Sequence, residues 1–246
     1  MTNGNFFLKL PVNFKNKCKI YAPSINEMIG NDSFYTYKKI LTISQEEIED
    51  EFVKNDAKDI EIPTPIEFLL ANSYNDKNFE KIAKEAFNFF IKEDVTFIYE
   101  NKSILIGDLE KEIQKIQSFD ELVFIEENEY FSFQNLIRES CGEKKIDPPN
   151  PNEDPRVKRI KAKARYRDKI KAKKGMGISL ETIMTSICCM GIGITPLNIG
   201  EMSYPALLAI LDTYQEKEKY ELDTSCLLAG ADSKKIKPKY WIRNLE

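Results

Sequence analysis

The stretch "DKNFEKIAKEAFNFFIKED", residues 76–94, decides the fold of the first half of the chain. Its apolar side chains recur at intervals of three and four positions; they are Phe79, Ile82, Ala83, Ala86, Phe87 and Phe90. This spacing places them on one wide face of a helix, and such a face is stable only when other elements cover it. The sequence therefore predicts a helix that packs into a hydrophobic core.

Short strands are predicted on both sides of this helix. After it, "VTFIYENKSILI" is typical of a hairpin with strands Val95–Tyr99 and Ser103–Ile106 and a turn at Asn101-Lys102. Before it, "FFLKL" and "KCKIY" could pair as two strands across the segment Pro11–Asn16. The helix would then pack against small antiparallel sheets.

Further helices are marked by capping boxes, in which a serine or threonine and a glutamate three positions later satisfy each other's backbone groups. The pairs are Ser44 with Glu47, Thr64 with Glu67, and Ser118 with Glu121. Pro65 supports the second start, and Cys141-Gly142 ends the third helical pattern. Residues 1–142 are therefore predicted to form a mixed domain of short strands and helices.

A proline cluster marks a boundary in the chain. Four prolines, at positions 148, 149, 151 and 155, favour an extended linker over residues 143–155. Asp154 and Pro155 then suit the start of a basic helix, and Ser179 and Ser203 suit the starts of two more. Residues 156–246 are predicted to form a mostly helical domain, so the fold class is α+β.

The last of these helices is predicted to end near Gly230 and to carry an apolar stripe. The stripe consists of Leu207, Leu208, Leu211, Tyr214, Leu222 and Cys226. Trp241 and Leu245 would share one side of a final helical turn. We expect Trp241 to dock on the Leu207–Leu211 part of the stripe; the alternative is that it anchors a partner.

Composition indicates a globular protein. Hydrophobic residues make up 42% and charged residues 31%. The first residues do not resemble a signal peptide, and the apolar stretches are too short to span a bilayer, so no membrane association is expected. The five cysteines are scattered without CxxC spacing, which favours a reducing compartment over disulfides or a zinc site.

The absence of histidine excludes every mechanism that uses an imidazole base and the HExxH metal sites. No GxxxxGK[ST] loop is present, and "GMG" and "GIG" at 175–177 and 191–193 lack the third glycine of a dinucleotide fingerprint. We therefore expect a protein that is not an enzyme, with no catalytic residues, no metal and no cofactor.

One enzymatic alternative is a Mg²⁺-dependent nuclease built from Asp94, Glu100 and Lys102. Such a site needs two carboxylates on the metal and a lysine near the attacking water. The predicted hairpin would place Glu100 and Lys102 at an exposed turn rather than in a cleft. The hairpin is therefore the favoured interpretation.

The basic segment, residues 156–174, holds eleven Lys or Arg and one acid, Asp168, whereas the rest of the chain holds 25 basic and 39 acidic side chains. Its helix would carry a sparse apolar stripe of Val157, Ile160 and Ala164. Three uses remain open: a helix that is solvated or contacts another subunit, a surface for an acidic protein, and a nucleic-acid site. Nucleic acid is disfavoured because Tyr166 is the segment's one aromatic available for base stacking.

The C-terminal stretch resembles proteins that phages of Gram-positive bacteria encode in their tail-gene clusters, known as tail assembly chaperones or structural proteins. The likeness rests on the helix "SLETIMTSICCMG", the "GITPLN" turn, the "EMS" that opens the next helix, a long polar helix, and "LLAGAD" followed by a tryptophan. It covers residues 150–246. The resemblance implies a non-enzymatic protein that holds tape-measure or tube proteins during virion assembly.

This resemblance implies phage tail proteins as partners, with self-association as a further option, and a location in the host cytoplasm or the virion. The alternative function is a nucleic-acid-binding accessory protein, such as a head-tail or packaging factor, that uses the basic segment. The candidate partner-binding residues are Arg156, Lys158, Arg159, Arg165, Arg167, Lys169, Lys171 and Trp241.

Overall fold

The computed structural model describes residues 4–54, 62–108, 122–148, 154, 156, 157, 160, 163, 164, 167, 179–232 and 234–240. The helices are α1 (Gly4–Phe7), α2 (Ile25–Ile29), α3 (Phe34–Thr42), α4 (Gln45–Lys54), α5 (Pro65–Asn75), α6 (Lys77–Ile91), α7 (Glu127–Ser140), α8 (Leu180–Cys189) and α9 (Tyr204–Leu228). The strands are β1 (Val12–Phe14), β2 (Cys18–Ile20), β3 (Val95–Ile98), β4 (Ser103–Ile106) and β5 (Phe124–Ile125). Small antiparallel sheets lie in the first half and helices dominate the second, so the fold class is α+β, as predicted.

Helix α6 lies at the centre of the core, as its spacing predicts. Its apolar face is buried, including Ala83, Phe87 and Phe90. The ring of Phe87 stacks on Phe133 of α7, with ring centroids 5.5 Å apart. Helices α3 and α5 pack on the same helix. Full burial of a phenylalanine contributes about 1.5–3 kcal/mol, so this face is a main source of stability.

The capping boxes at Ser44 and Thr64 are confirmed. The backbone N–H of Glu47 donates to Ser44 Oγ over 3.2 Å, and the N–H of Ser44 donates to the Glu47 carboxylate over 3.1 Å. At α5, Thr64 and Glu67 exchange the same two hydrogen bonds, and proline occupies the first turn. These local interactions explain why both helix starts are readable from the sequence.

The pairing suggested for "FFLKL" is wrong, although "KCKIY" does contain a strand. Gly4–Phe7 forms α1, and β2 pairs instead with Val12–Phe14. Three residues lie between these strands, and two of them, Lys15 and Asn16, have positive φ, as a tight hairpin turn requires. Because this turn is short, β2 pairs with the residues just before the turn, Val12–Phe14.

The hairpin after α6 is confirmed: β3 and β4 pair antiparallel, with Val95 opposite Ile106 and Ile98 opposite Ser103. Strand β5 extends this sheet. The helix predicted from Ser118 is wrong at residues 124–125, which form β5, so α7 begins at Glu127. Ser118 and Glu121 lie outside the described residues. The predicted end at Cys141-Gly142 is confirmed, since α7 ends at Ser140 and Gly142 has φ of 71°.

The C-terminal helices share one hydrophobic core with the first half of the chain. Ile183 and Ile187 of α8 and Leu207 of α9 belong to that core. Ser24 and Ser203 form an isolated antiparallel bridge, and the backbone N–H of Ile25 donates to the carbonyl of Met202 over 3.0 Å. The predicted division at residues 143–155 into separate folding units remains a prediction.

Among the residues that the structure describes, no helix is long and apolar enough to cross a membrane.

Candidate partner-binding surface

Helices α8 and α9 form the scaffold of the C-terminal part. Ser179 caps α8 by accepting from the Thr182 N–H over 3.2 Å, and Ser203 caps α9 by accepting from the Ala206 N–H over 3.2 Å. The Ser203 hydroxyl also donates to the carbonyl of Phe7 over 3.1 Å. Both predicted helix starts are confirmed, and the start of α9 is tied to the first half of the chain.

The connection between the two helices is a turn held by its own side chains. The backbone N–H of Thr195 donates to Asn198 Oδ1 over 2.8 Å, and Asn198 Nδ2 donates to the carbonyl of Gly193 over 3.1 Å. Gly191 and Gly193 have φ of 68° and 82°, values that glycine adopts without strain. This confirms that "GIG" belongs to a turn; "GMG" lies outside the described residues.

The turn exposes apolar side chains. Leu197 at its tip is 96% exposed, and Ile192 is 47% exposed. The backbone N–H of Leu197 donates to Thr195 Oγ1 over 3.3 Å, so the residue that carries the exposed side chain is fixed in position. The exposure of Leu197 is not predicted from the sequence, although the polar side chains of Thr195 and Asn198 beside a proline are a signal for such a turn.

Helix α9 is buried only near its start. Pro205, Ala206 and Leu207 are its buried residues, and Leu208 and Leu211 pack partly against the core. Leu222 is 64% exposed, so the predicted stripe continues well beyond the region that the core covers. The helix ends at Leu228, and Gly230 has φ of 94°, which confirms the predicted end.

The residues after α9 run back along it. The rings of Tyr240 and Tyr220 contact each other edge to face, with centroids 5.5 Å apart. Acidic and basic side chains from the two segments line a groove of about 490 Å³ between them; among them are Glu216, Asp223, Lys235 and Lys237. The acidic side chains of α9 therefore attract the lysines that follow the helix.

Two of the predicted partner-binding residues, Arg156 and Arg167, lie in helical positions and are exposed. The N–H of Arg156 donates to Asp154 Oδ1 over 2.7 Å, which supports the predicted N-cap. The other residues of that set lie outside the described part of the chain: Lys158, Arg159, Arg165, Lys169, Lys171 and Trp241. The expected docking of Trp241 on α9 therefore remains a prediction.

The three residues of the alternative nuclease site do not line a common cleft. Lys102 makes an ion pair with Glu67 of α5, and Glu100 lies exposed in the turn between β3 and β4. Asp94 accepts a hydrogen bond from Asn88 over 3.2 Å. Within the described ranges, no group of three or more His, Cys, Asp or Glu side chains could hold a metal ion.

Two buried thiols have little nucleophilic character. Burial raises the pKa of Cys18 and of Cys141 to about 12, with a smaller contribution from nearby glutamates. Thiols with such a pKa are protonated at neutral pH, and the thiolate is the reactive form. These two cysteines therefore contribute to packing rather than to chemistry.

A cavity of about 750 Å³ runs along the polar side of α6. Its charges are paired: Glu80 binds Lys84 over 2.8 Å and Lys77 over 2.9 Å, and Lys92 binds Glu27 over 3.1 Å. A second cavity, of about 540 Å³, is lined by apolar side chains of α3, α5 and α6. Paired charges offer a ligand little uncompensated attraction, so the exposed C-terminal features are the stronger candidates for a binding role.

Comparison with known proteins gives no match among curated proteins and none among solved structures. A protein family does match part of the chain, and the match includes the turn at 191–198 and the whole of α9. Residues 169–246 are similar to the family described as the YomV second domain, and this similarity points to a phage-associated protein.

Proposed function

We propose that this chain is a non-enzymatic tail assembly protein of a phage, and that it holds tape-measure or tube proteins through its C-terminal part. The observation that supports this proposal most directly is the exposed pair Ile192 and Leu197 on a hydrogen-bonded turn. The turn lies inside the segment that is similar to the YomV second domain.

A fixed apolar turn is well suited to protein binding. A flexible loop loses conformational freedom when a partner orders it, which weakens binding by about 0.5–1.5 kcal/mol for each immobilised side chain. The hydrogen bonds from Thr195 and Asn198 hold this turn before any partner arrives. Leu197 can therefore enter an apolar pocket of a partner with little ordering of the loop.

Co-purification tests the proposal. The chain is co-expressed with the tape-measure and tube proteins of the same tail-gene cluster, and the complex is isolated through a tag on the tail protein. We expect the wild type to be retained and the double variant Ile192→Ser, Leu197→Ser to be lost. Both side chains are exposed, so the double variant should fold as the wild type does, which circular dichroism verifies.

The matched control is Leu222→Ser, which removes another exposed leucine. Leu222 lies 18 residues beyond the start of α9, or about 27 Å along the helix axis. It should leave co-purification unchanged. Absence of any complex with both tail proteins, or equal retention of the double variant, contradicts the proposal.

The competing function, nucleic-acid binding, is supported by the exposed positions of Arg156 and Arg167 in a segment with eleven cations. Binding through basic charge alone is independent of sequence and weakens steeply with salt. We expect weak retention of DNA in a gel-shift series at roughly 150 mM salt. Submicromolar retention that is lost when Arg165, Arg167, Lys169 and Lys171 become serine would favour the competing function.

A further inference from the structure

Helix α9 carries one face that begins in the core and continues beyond it. Leu207 is buried and Leu211 packs partly against the core; steps of three and four residues then lead to Tyr214, Glu218 and Leu222. Residues at this spacing lie on one side of a helix. Glu218 and Leu222 are exposed, so within the described chain the far end of this face is uncovered. We call Glu218, Glu221, Leu222 and Ser225 the open face.

The segment after α9 leaves the open face free because it packs on a different side of the helix. Its contact is with Tyr220, and the groove beside it is lined by Glu216 and Asp223. Positions 216, 220 and 223 follow each other at steps of four and three, so they form a side of their own. This side is turned away from the one that contains Leu222, which is two residues from Tyr220.

The open face combines one exposed leucine with two glutamates. Glu218 lies one turn before Leu222, and Glu221 lies beside it. Residues 212–223 contain five acidic and two basic side chains. Lys217 pairs with Glu221 over 3.6 Å, but both side chains are more than 40% exposed, and such pairs on a helix contribute only a few tenths of a kcal/mol. These two glutamates therefore attract a cationic partner.

The described part of the basic segment has the complementary pattern. Val157, Ile160 and Ala164 follow each other at steps of three and four, and all are exposed, Ile160 to 67%. Arg156, Lys163 and Arg167 lie at helical spacing beside them and are exposed as well. We call these six residues the basic face. An apolar row therefore lies beside a cationic row, which complements the open face, where Leu222 lies beside Glu218 and Glu221.

The two faces do not cover each other within one chain, since Ile160 and Leu222 are both largely exposed. We propose that the basic face of one copy docks on the open face of α9 in a second copy. In a twofold dimer each copy supplies both faces, so the contact occurs twice. Leu222 would pack on the apolar row of the basic face, and Glu218 and Glu221 would face Lys163 and Arg167 beside it.

This inference goes beyond the proposed function and uses a different surface. Tail-protein binding was assigned to the turn with Ile192 and Leu197, whereas the dimer contact uses α9 beyond Leu211. The two can fail separately, because the dimer is measured on the purified chain without any tail protein.

Sedimentation equilibrium of the full chain tests the dimer. We expect a dimer at roughly 50 mM salt that weakens at roughly 500 mM, where charges are screened over a few ångströms. The double variant Glu218→Lys, Glu221→Lys should raise the dissociation constant at least about tenfold, because like charges would then face each other. The control Glu100→Lys, Asp147→Lys reverses two exposed acids elsewhere and should leave the dissociation constant unchanged.

A charge-restoring variant identifies the partner surface. Adding Lys163→Glu and Arg167→Glu to Glu218→Lys, Glu221→Lys should return the dissociation constant to within about threefold of the wild type, since the pairs are restored with reversed signs. The proposal is overturned if the wild type is monomeric at about 100 µM. It is also overturned if Glu218→Lys, Glu221→Lys leaves the dissociation constant unchanged. The same holds if the combined variant has a dissociation constant as high as that of Glu218→Lys, Glu221→Lys.

Discussion

The two longest helices of the described chain, α6 and α9, differ in how much of their length the rest of the protein covers. Helix α6 has 15 residues, and its apolar face is buried from Ala83 to Ile91. Helix α9 has 25 residues, but its buried side chains are confined to Pro205, Ala206 and Leu207. One helix therefore stabilises the fold along its length, and the other is anchored at one end and presents the remainder to its surroundings.

Replacing one apolar residue in each helix should give the largest difference between α6 and α9 in the free energy of unfolding. Phe87→Ala removes a buried ring that stacks on Phe133, and we expect the free energy of unfolding to fall by about 3–5 kcal/mol. Leu222→Ala removes a side chain that is exposed within one chain, and at a protein concentration low enough to keep the chain monomeric it should change this free energy by no more than about 0.5 kcal/mol. Urea denaturation followed by circular dichroism measures both values. Similar losses in the two variants would mean that the far end of α9 is as much a part of the folded core as α6.

The anchored end of α9 is tested by proteolysis. The linker, residues 143–155, is expected to be cut first because its prolines exclude regular pairing. The two pieces of the nicked wild type should elute together in gel filtration, since Leu207 and Ile187 belong to the core of the first half. Leu207→Ala should weaken this association by about 2–5 kcal/mol through the lost contacts and the cavity.

Two outcomes would change this comparison. First cuts within 1–140, with an intact linker, would contradict the predicted domain boundary. If the two pieces of the nicked wild type separate, the shared core is too weak to hold them together. The start of α9 would then be no better anchored than its far end. Leu222→Ala serves as the control that leaves the anchored end intact.

Acid should lower the stability of the core around α6, because protonation of glutamates breaks ion pairs that join separate elements. Glu129 on α7 is desolvated, which raises its pKa, but hydrogen bonds from Lys17, from the Glu126 backbone and from Lys15 outweigh this effect and hold its pKa below 4.5. Lys102 and the Thr64 backbone lower the pKa of Glu67 in the same way. A lowered pKa gives stability that is present above the ordinary value and is lost as the pH falls through the folded value.

The test is to compare the wild type with Glu129→Gln from pH 6 to pH 3. The variant should be less stable by about 1 kcal/mol at pH 6, since a charge-assisted hydrogen bond is removed. Its stability should fall less steeply below pH 4.5, the ordinary pKa of a glutamate. Glu100→Gln, at an exposed turn, should follow the wild type. Identical slopes for Glu129→Gln and the wild type would show that this carboxylate does not contribute to acid unfolding.

The sequence predicts those parts of the fold that depend on neighbours along the chain. The caps at Ser44, Thr64, Ser179 and Ser203 each join residues three positions apart, and the sequence locates all four correctly. The face of α6 was correct because its spacing repeats over several turns. In contrast, β1 was misplaced because its position depends on a turn with positive φ at Lys15 and Asn16, neither of which is a glycine.

The candidate surface is harder to predict from the sequence than the fold is. The apolar stripe of α9 was visible, but nothing local says where the core stops covering it, so Leu222 was grouped with Leu207. The hydrogen bonds that fix Leu197 join Thr195, Asn198 and Gly193, and their effect is to expose an apolar residue, opposite to the usual tendency. Exposure depends on three-dimensional packing, and spacing along the chain does not determine it.

The bridge between Ser24 and Ser203 has a consequence for the order of events during synthesis. The backbone of Ile25 finds its partner at Met202, and that of Pro23 finds its partner at Tyr204. A ribosome adds about 5–20 residues per second, so the early segment waits on the order of ten seconds or more for these partners. During that time Ile25, which is buried in the finished fold, lacks the backbone partner that Met202 supplies, and a nascent chain stalled before Met202 would leave it accessible to chaperones.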